Sequence, residues 1–519
     1  MTRLQKLIDF DLLAWVANSW LIRNRGQRNL FLALLALNTF TFLMFITHHF
    51  IHNHASRFPW IGPRDQVFAG RWFNEYLLKL NYAADIPVYL PMFSILLSVL
   101  GGMVLIRIWR LHLSHVEQFI VLGLLTTFPV ALSYFYYTYQ TPLFFVSVFF
   151  AILAVAVCNR IHPLNIIAGA VLTMLTLASY QPALSIIATI IASSFIADLI
   201  RNSSTDGVQQ SIRQTFLLAL ARVGALIAGL FAYKTSLTIL GIKASHATKT
   251  VALADIPDRW LTVAKASFKH LSMTQPDLLT TVKTALVIVF VAAVIISVIN
   301  VRRSWTRIAL VLLSWPLLVI ATKAMYLVSS DGALYQYRYN GALGFFHAFT
   351  AVTLLHFTNF KTLRSVALLL LIFILMRFVQ ADLVRQEVLY RGEQHDMAIA
   401  NRILTRMESL PDIDFSKTYD FVRIGKYSNF RNERFKTRSH TYDTYGDGHM
   451  DNGEVTDRWT DEEVFQLLGA KVKFKFNGTD SNFASKEADA RQNRLQNRAP
   501  WPHESSVFIE DDTIFVYMK

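Results

Sequence analysis

Charge is scarce in this chain. Asp, Glu, Lys and Arg make up 17% of its 519 residues, against roughly 25% in ordinary soluble domains. There is one cysteine, Cys158, and it sits inside an apolar run. That excludes a disulfide framework and any cysteine-built metal cage. No Walker motif, dinucleotide fingerprint or GxSxG elbow occurs. Gly101-Gly102 lies within an apolar run and reads as helix packing, not a phosphate loop. No internal repeat of the kind that builds many transporters is visible. Met1–Arg28 lacks a continuous apolar core and a small-residue cleavage site, so a removable leader is not expected there.

What the chain has is apolar length. Hydrophobic residues make up 53% and the mean hydropathy is +0.35. Runs of this kind recur at 30–47, 88–106, 118–133, 143–158, 165–180, 182–198, 214–233, 284–301, 308–323, 341–356 and 365–381. A hydrocarbon core of about 30 Å needs about 20 helical residues, so eleven spanning helices are expected, some short or tilted. The fold class is an all-α polytopic membrane protein with a small C-terminal α+β domain.

Charge then orients it. Every other connection is short and basic: Met1–Arg28, Arg107–His115, Arg160, Arg201–Arg213, Arg302–Arg307 and Lys361–Arg364. The positive-inside rule puts these in the cytoplasm, and an odd helix count puts the C-terminus outside. Residues 1–380 carry a net +18 and residues 381–519 a net −4. The expected organisation is a cytoplasmic segment 1–29, a membrane domain 30–381 and an external domain 382–519. In the tail, Val384–Leu410 has helical periodicity, and Tyr419–Ile424, Lys471–Phe476, Ser506–Ile509 and Thr513–Met518 read as strands.

The chemistry gathers in the outward segments. Residues 57–76 hold two acids among arginines, between the first two apolar runs. Asp65 is the candidate general base for a hydroxyl nucleophile, with Glu75 and Asp85 as secondary acids. Arg71-Trp72 pairs a cation with a ring, and Tyr335, Tyr337 and Arg338 do so again near the end of the membrane part. Arginine forks match phosphate oxygens. Lys323 and the mid-helix Arg222 are further candidates for a phosphate. Arg222 must face the bundle interior, because a cation at helix centre costs about 2.5–3.5 kcal/mol on insertion scales. Gln181, in the turn Ser179-Tyr180-Gln181-Pro182, could bind sugar hydroxyls or simply close a hairpin. The aromatic segment Tyr134–Pro142 is expected as another outward turn.

Three motifs are weighed as metal sites. His48, His49, His52 and His54 have ligand chemistry, but no Cys or Asp completes the set. Asp443, Asp447, Asp451 and Glu454 take the first, fifth, ninth and twelfth positions of a calcium loop, with Gly448 at the sixth. Tyr445 stands where a third-position ligand belongs. His347 reads as a core histidine.

The order of these features resembles the GtrII-type glucosyltransferases of bacteria and their phages, within the GT-C class of membrane glycosyltransferases. The residues that carry the resemblance are Asp65 with Gly70-Arg71-Trp72, a D-x(4)-G-R-W pattern, and Ser179-Tyr180-Gln181. The resemblance implies a polyprenyl-phosphate-linked sugar donor, usually glucose, and transfer to a lipid-linked O-antigen acceptor on the periplasmic face of the inner membrane. It implies Asp65 as the first-loop acid and puts Arg71 in the G-R-W segment. From the residues themselves, Arg71, Arg338 and either Lys323 or Arg222 are expected to stabilise the departing lipid phosphate, and Trp72, Gln181, Tyr335 and Tyr337 to position sugars. Many members pair two acids in that loop, whereas Arg64 precedes Asp65 here, so a role for a divalent cation stays open. Membrane lipids are expected partners and nucleic acid is not. An O-antigen polymerase or ligase, or a flippase for a lipid-linked saccharide, are the rival readings.

Overall fold

The computed structural model describes residues 24–48, 50, 67, 69–80, 86–110, 112–204, 212–242, 255–273, 279–328, 337–358, 360–425, 461–475 and 481–518. Helix α1 (Arg25–Thr41) starts where the Asn24 side chain accepts from the Gln27 N–H, and α2 (Leu43–Thr47) continues it. Next come α3 (Trp72–Leu80) and α4 (Tyr89–Trp109). A reciprocal cap between Ser114 and Glu117 opens α5 (His115–Thr126). The short α6 (Val130–Phe135) leads to α7 (Thr141–Val157). Pro163 starts α8 (Pro163–Ser179), which turns into α9 (Ala183–Ser204).

Then follow α10 (Ile212–Ile239), α11 (Ile256–Met273) and α12 (Thr280–Val301). Ser304 caps α13 (Trp305–Ala321), and α14 (Met325–Val328) is a single turn. The bundle closes with α15 (Ala342–Phe357) and α16 (Lys361–Glu408). Six of the described helices are long and apolar enough to cross a membrane, where the sequence led us to expect eleven. Four more, α5, α8, α13 and α15, are apolar but shorter. A 17-residue helix such as α8 or α13 rises only about 26 Å, less than the ~30 Å core.

The outer faces are apolar. Ile288, Val291, Ile295 and Ile299 are exposed at helical spacing on α12, as are Leu220, Ile227 and Phe231 on α10. An apolar stripe facing away from the protein requires a non-aqueous neighbour, so these faces meet lipid. The segment Tyr134–Pro142 turns between α6 and α7, and it is a packed turn. Tyr134, Tyr136, Tyr137 and Tyr139 are all buried. Tyr134 and Tyr137 pack on Phe144 of α7, and Tyr139 clusters with Leu78 of α3 and Leu143 of α7.

The tail is built on a four-stranded sheet. Its strands are β1 (Thr418–Ile424), β2 (Lys473–Phe474), β3 (Val507–Glu510) and β4 (Thr513–Tyr517), in the order β2-β1-β4-β3. β1 pairs in parallel with β2 and β4, and β3 is antiparallel to β4. Two short helices, α17 (Asp461–Leu467) and α18 (Ser481–Asp489), pack beside it. The apolar run 365–381 and the helix expected over Val384–Leu410 form one rod, since α16 runs 48 residues without interruption. At 1.5 Å per residue it is ~72 Å long, more than twice a bilayer core. Its first half packs in the bundle. Ile399, Ile403, Leu404 and Met407 in its second half share a core with Tyr419, Phe421, Phe465 and Ile514.

Candidate functional site

The Gly70-Arg71-Trp72 segment is fixed by residues far away in sequence. Gly70 adopts φ +77°, a left-handed value that glycine takes without strain, and its N–H closes a turn on the Val67 carbonyl at 2.8 Å. This aims Arg71 at the turn after α8. The Arg71 Nε donates to the Gln181 Oε1 at 3.2 Å. The Gln181 Nε2 donates to the Ala69 carbonyl at 2.7 Å and to the Tyr233 hydroxyl at 3.0 Å. The Tyr233 hydroxyl in turn donates to the Gly70 carbonyl at 3.2 Å. Asn74 adds a bond to the Ser179 carbonyl at 2.9 Å. Both amide hydrogens of Gln181 are thus engaged, and only Gln or Asn can donate and accept in this way.

A row of rings leads away from Arg71. Its guanidinium lies 5.4 Å from the centre of the Tyr180 ring. Tyr180 neighbours Tyr339 at 6.4 Å, and Tyr339 neighbours Tyr326 at 6.4 Å. Lys323 stands at the far end, 5.4 Å over the Tyr326 ring, and donates to the Asn340 side chain. Two cations from opposite halves of the chain therefore flank one aromatic row. A cation over an aromatic face is attracted by the ring quadrupole. Lys323 and Asn340 are almost fully buried, at 0% and 3% exposure.

The other expected residues are distributed as follows. Trp72 gives its indole N–H to the Ser236 hydroxyl at 3.0 Å, one turn beyond Tyr233 on α10. Glu75 forms a partly exposed ion pair with Lys79 at 2.6 Å. Tyr337 and Arg338 belong to a turn of 3₁₀-helix, Tyr337–Asn340, that also supplies Tyr339. Asp65, Asp85, Tyr335, His49, His52, His54 and the calcium-like set Asp443, Asp447, Asp451 and Glu454 lie outside the described residues. His48 packs edge-on to Tyr390. His347 is a core residue between Phe128 and Phe346. Among the described residues no three His, Cys, Asp or Glu side chains gather as a metal site.

Arg222 is not brought to this site. It donates to the Asn159 side chain at 2.7 Å and pairs with Asp198 at 3.5 Å. Eleven residues separate it from Tyr233 on the same helix, about 16 Å of rise. Asp198 is also bound by Arg201 at 2.8 Å. Arg222 thus has the interior partner that its position demanded, and the partner sits toward the opposite end of the bundle.

The sequence singles out Tyr180 in its turn and Tyr339-Asn340 in the last aromatic-arginine turn, but it does not join the two, and it gives no sign of Tyr233 and Tyr326, each one aromatic residue among many. Sequence reading also missed Asp382, Arg385, Gln386 and Glu393, all buried on α16. Their spacing keeps them on the stripe that continues as Ala400, Ile403 and Met407. A polar start to an otherwise apolar stripe was the available signal.

These features define a helical membrane protein with a cationic, ring-lined cluster at one end of its bundle. The glucosyl transferase GtrII family model matches residues 42–355, and the chain belongs to that family. The matched stretch contains Arg71, Gln181, Arg222, Lys323 and Arg338 and stops before α16. Comparison with curated proteins and with solved structures finds no significant match.

Proposed function

We propose that this glucosyltransferase moves a glucosyl group from a polyprenyl-phosphate carrier to a hydroxyl of a lipid-linked O-antigen saccharide. The reaction takes place at the periplasmic face of the inner membrane. In this reading the chain crosses eleven times, with its N-terminus in the cytoplasm and its C-terminal domain in the periplasm. The acceptor oxygen attacks the anomeric carbon and Asp65 takes its proton. The bond from that carbon to the phosphate oxygen breaks, and the lipid phosphate leaves with the electron pair. The configuration at the sugar inverts.

The observation that supports this is the pair of cations, Arg71 and Lys323, at the two ends of the Tyr180–Tyr339–Tyr326 row. A departing phosphate gains negative charge, and fixed cations in a water-poor site stabilise it far better than solvent-exposed ones. In this reading Arg338 is a further phosphate ligand. The aromatic faces of the row suit the apolar faces of a pyranose, and Trp72, Tyr335 and Tyr337 are further sugar-binding candidates. Gln181 acts by holding the Arg71 segment.

Purified protein in detergent, given polyprenyl-phosphoglucose and a lipid-linked O-antigen acceptor, should form the glucosylated product. Asp65→Asn should lower turnover about 10²–10⁴-fold, the usual cost of losing a general base, with donor affinity retained. Near-normal turnover in Asp65→Asn would remove the base assignment. Absence of transfer from any lipid-phosphate sugar would remove the donor class.

A further inference from the structure

A second cationic site lies at the far end of the bundle. A cavity of about 440 Å³ is lined by Arg107, Arg110 and Arg201 together with His112. Gln27 and Gln118 complete its polar rim, and Met103 and Ile106 form an apolar wall. Its size falls within the roughly 300–1,000 Å³ of small-ligand pockets. No carboxylate is among the described residues that line it. Twenty residues of α9 and its preceding turn separate Gln181 from Arg201, ~30 Å of helix. The cavity and the Arg71 cluster are therefore a bilayer core apart.

The lining is held in place from behind. Arg201 is bound by Asp198 at 2.8 Å, outside the cavity wall. Arg110 donates to the Asn159 carbonyl at 3.1 Å, and the Asn159 side chain accepts from Arg222 at 2.7 Å. Arg110 also ends α4 with φ +53°, a left-handed position that glycine or asparagine usually fills. Gln118 donates to the Leu113 carbonyl at 2.8 Å and accepts from Gln27 at 3.3 Å. Glu117, which precedes Gln118 in the chain, is committed to Ser114 and Arg364.

We infer that this cavity binds the headgroup of an anionic phospholipid, one whose phosphate carries net negative charge. Fixed guanidiniums match phosphate oxygens in geometry and charge. The cavity opens at helix ends, where headgroups lie, and its Met103–Ile106 wall suits the first carbons of an acyl chain. Basic pockets between spanning helices are established headgroup sites. A free phosphate shares the charge but gains nothing from the apolar wall.

The test uses the full-length protein in detergent, with dioctanoyl phosphatidic acid, dioctanoyl phosphatidylcholine and inorganic phosphate as probes. Binding is read by native mass spectrometry and by the rise in unfolding temperature. Phosphatidic acid should bind and stabilise, and phosphatidylcholine should not. Arg107→Gln and Arg110→Gln should each weaken phosphatidic acid binding about tenfold, as the loss of one charge-assisted bond predicts. Arg71→Ala, at the other end, should bind it normally. If a variant fails to fold, the salt dependence of the unaltered protein decides. Binding to partly open cations should fall between about 50 and 200 mM salt, as the Debye length shortens. Equal binding of phosphatidylcholine, unchanged binding in both variants, or loss of binding only in Arg71→Ala would overturn the site. Stabilisation by inorganic phosphate that matches phosphatidic acid would overturn the lipid assignment.

Discussion

Arg71 and Gln181 meet at 3.2 Å across 110 residues of sequence. This bond joins the segment before α3 to the turn between α8 and α9. Gln181 is the hub, because its amide also holds the Ala69 carbonyl and the Tyr233 hydroxyl. A guanidinium on a loop is placed only as well as that loop is held.

Gln181→Leu should therefore impair transfer without touching substrate. It removes the acceptor from Arg71 and two donors from buried partners, each worth about 1–3 kcal/mol when left unsatisfied. Tyr233→Phe removes one hydroxyl and should cost about 1 kcal/mol, within the ordinary range for one hydrogen bond. The expected signature is a fall in kcat with a rise in donor KM for Gln181→Leu, and a smaller effect of the same kind for Tyr233→Phe. If both variants lose thermal stability yet keep full kcat, the hub is structural alone.

The two cations should differ in how they tolerate replacement. Arg71→Lys keeps the charge but loses the planar fork that serves both Gln181 and the Tyr180 face, so recovery should be partial. Lys323→Met keeps the length and the apolar stem and removes the charge. It should weaken donor phosphate binding and slow transfer about 10²-fold, the lower end of the range for losing one donor to a developing anion. Parallel measurement of donor affinity and single-turnover rate separates the two effects.

Asp198→Asn should destabilise more than Arg222→Met. Arg222 is buried, with a side chain only 1% exposed, and Asp198 faces both Arg201 and Arg222. Removing one partner of a buried pair commonly costs about 3–5 kcal/mol, because the other charge stays buried. Asp198→Asn removes the carboxylate that faces two guanidiniums, whereas Arg222→Met leaves Asp198 paired with Arg201. Thermal unfolding of the two single variants and the double variant should show strong coupling. Transfer by the folded fraction should be unchanged, as the pair lies far from Arg71.

The C-terminal domain should need the end of α16. Ile399, Ile403, Leu404 and Met407 fill its core, and burying each such side chain is worth roughly 1.5–3 kcal/mol. A fragment of residues 394–519 should unfold cooperatively by circular dichroism. A fragment of residues 411–519 should not. Equal stability of the two would show that the helix merely leans on the sheet.

The sequence by itself determined the class and the local elements. Each apolar run carries a helix, because length and hydropathy are summed locally and need no partner. The run 30–47 is split at Phe42 and the run 118–133 at Thr127–Pro129. The four tail strands fall where alternation placed them, and the D-x(4)-G-R-W and Ser179-Tyr180-Gln181 patterns led to the family that residues 42–355 match.

Only the tertiary structure decided which polar residues meet. The contacts Arg71–Gln181, Lys323–Asn340 and Arg222–Asp198 join elements with no fixed sequence spacing, so no periodicity encodes them. It sent Arg222 to the end opposite Arg71 and buried the tyrosines after Tyr134, because helix packing sets depth and rotation. It also made one rod of α16. Helix propensity runs across residue 381 without a proline to stop it, and the bundle and the sheet each cover their own part of its buried stripe.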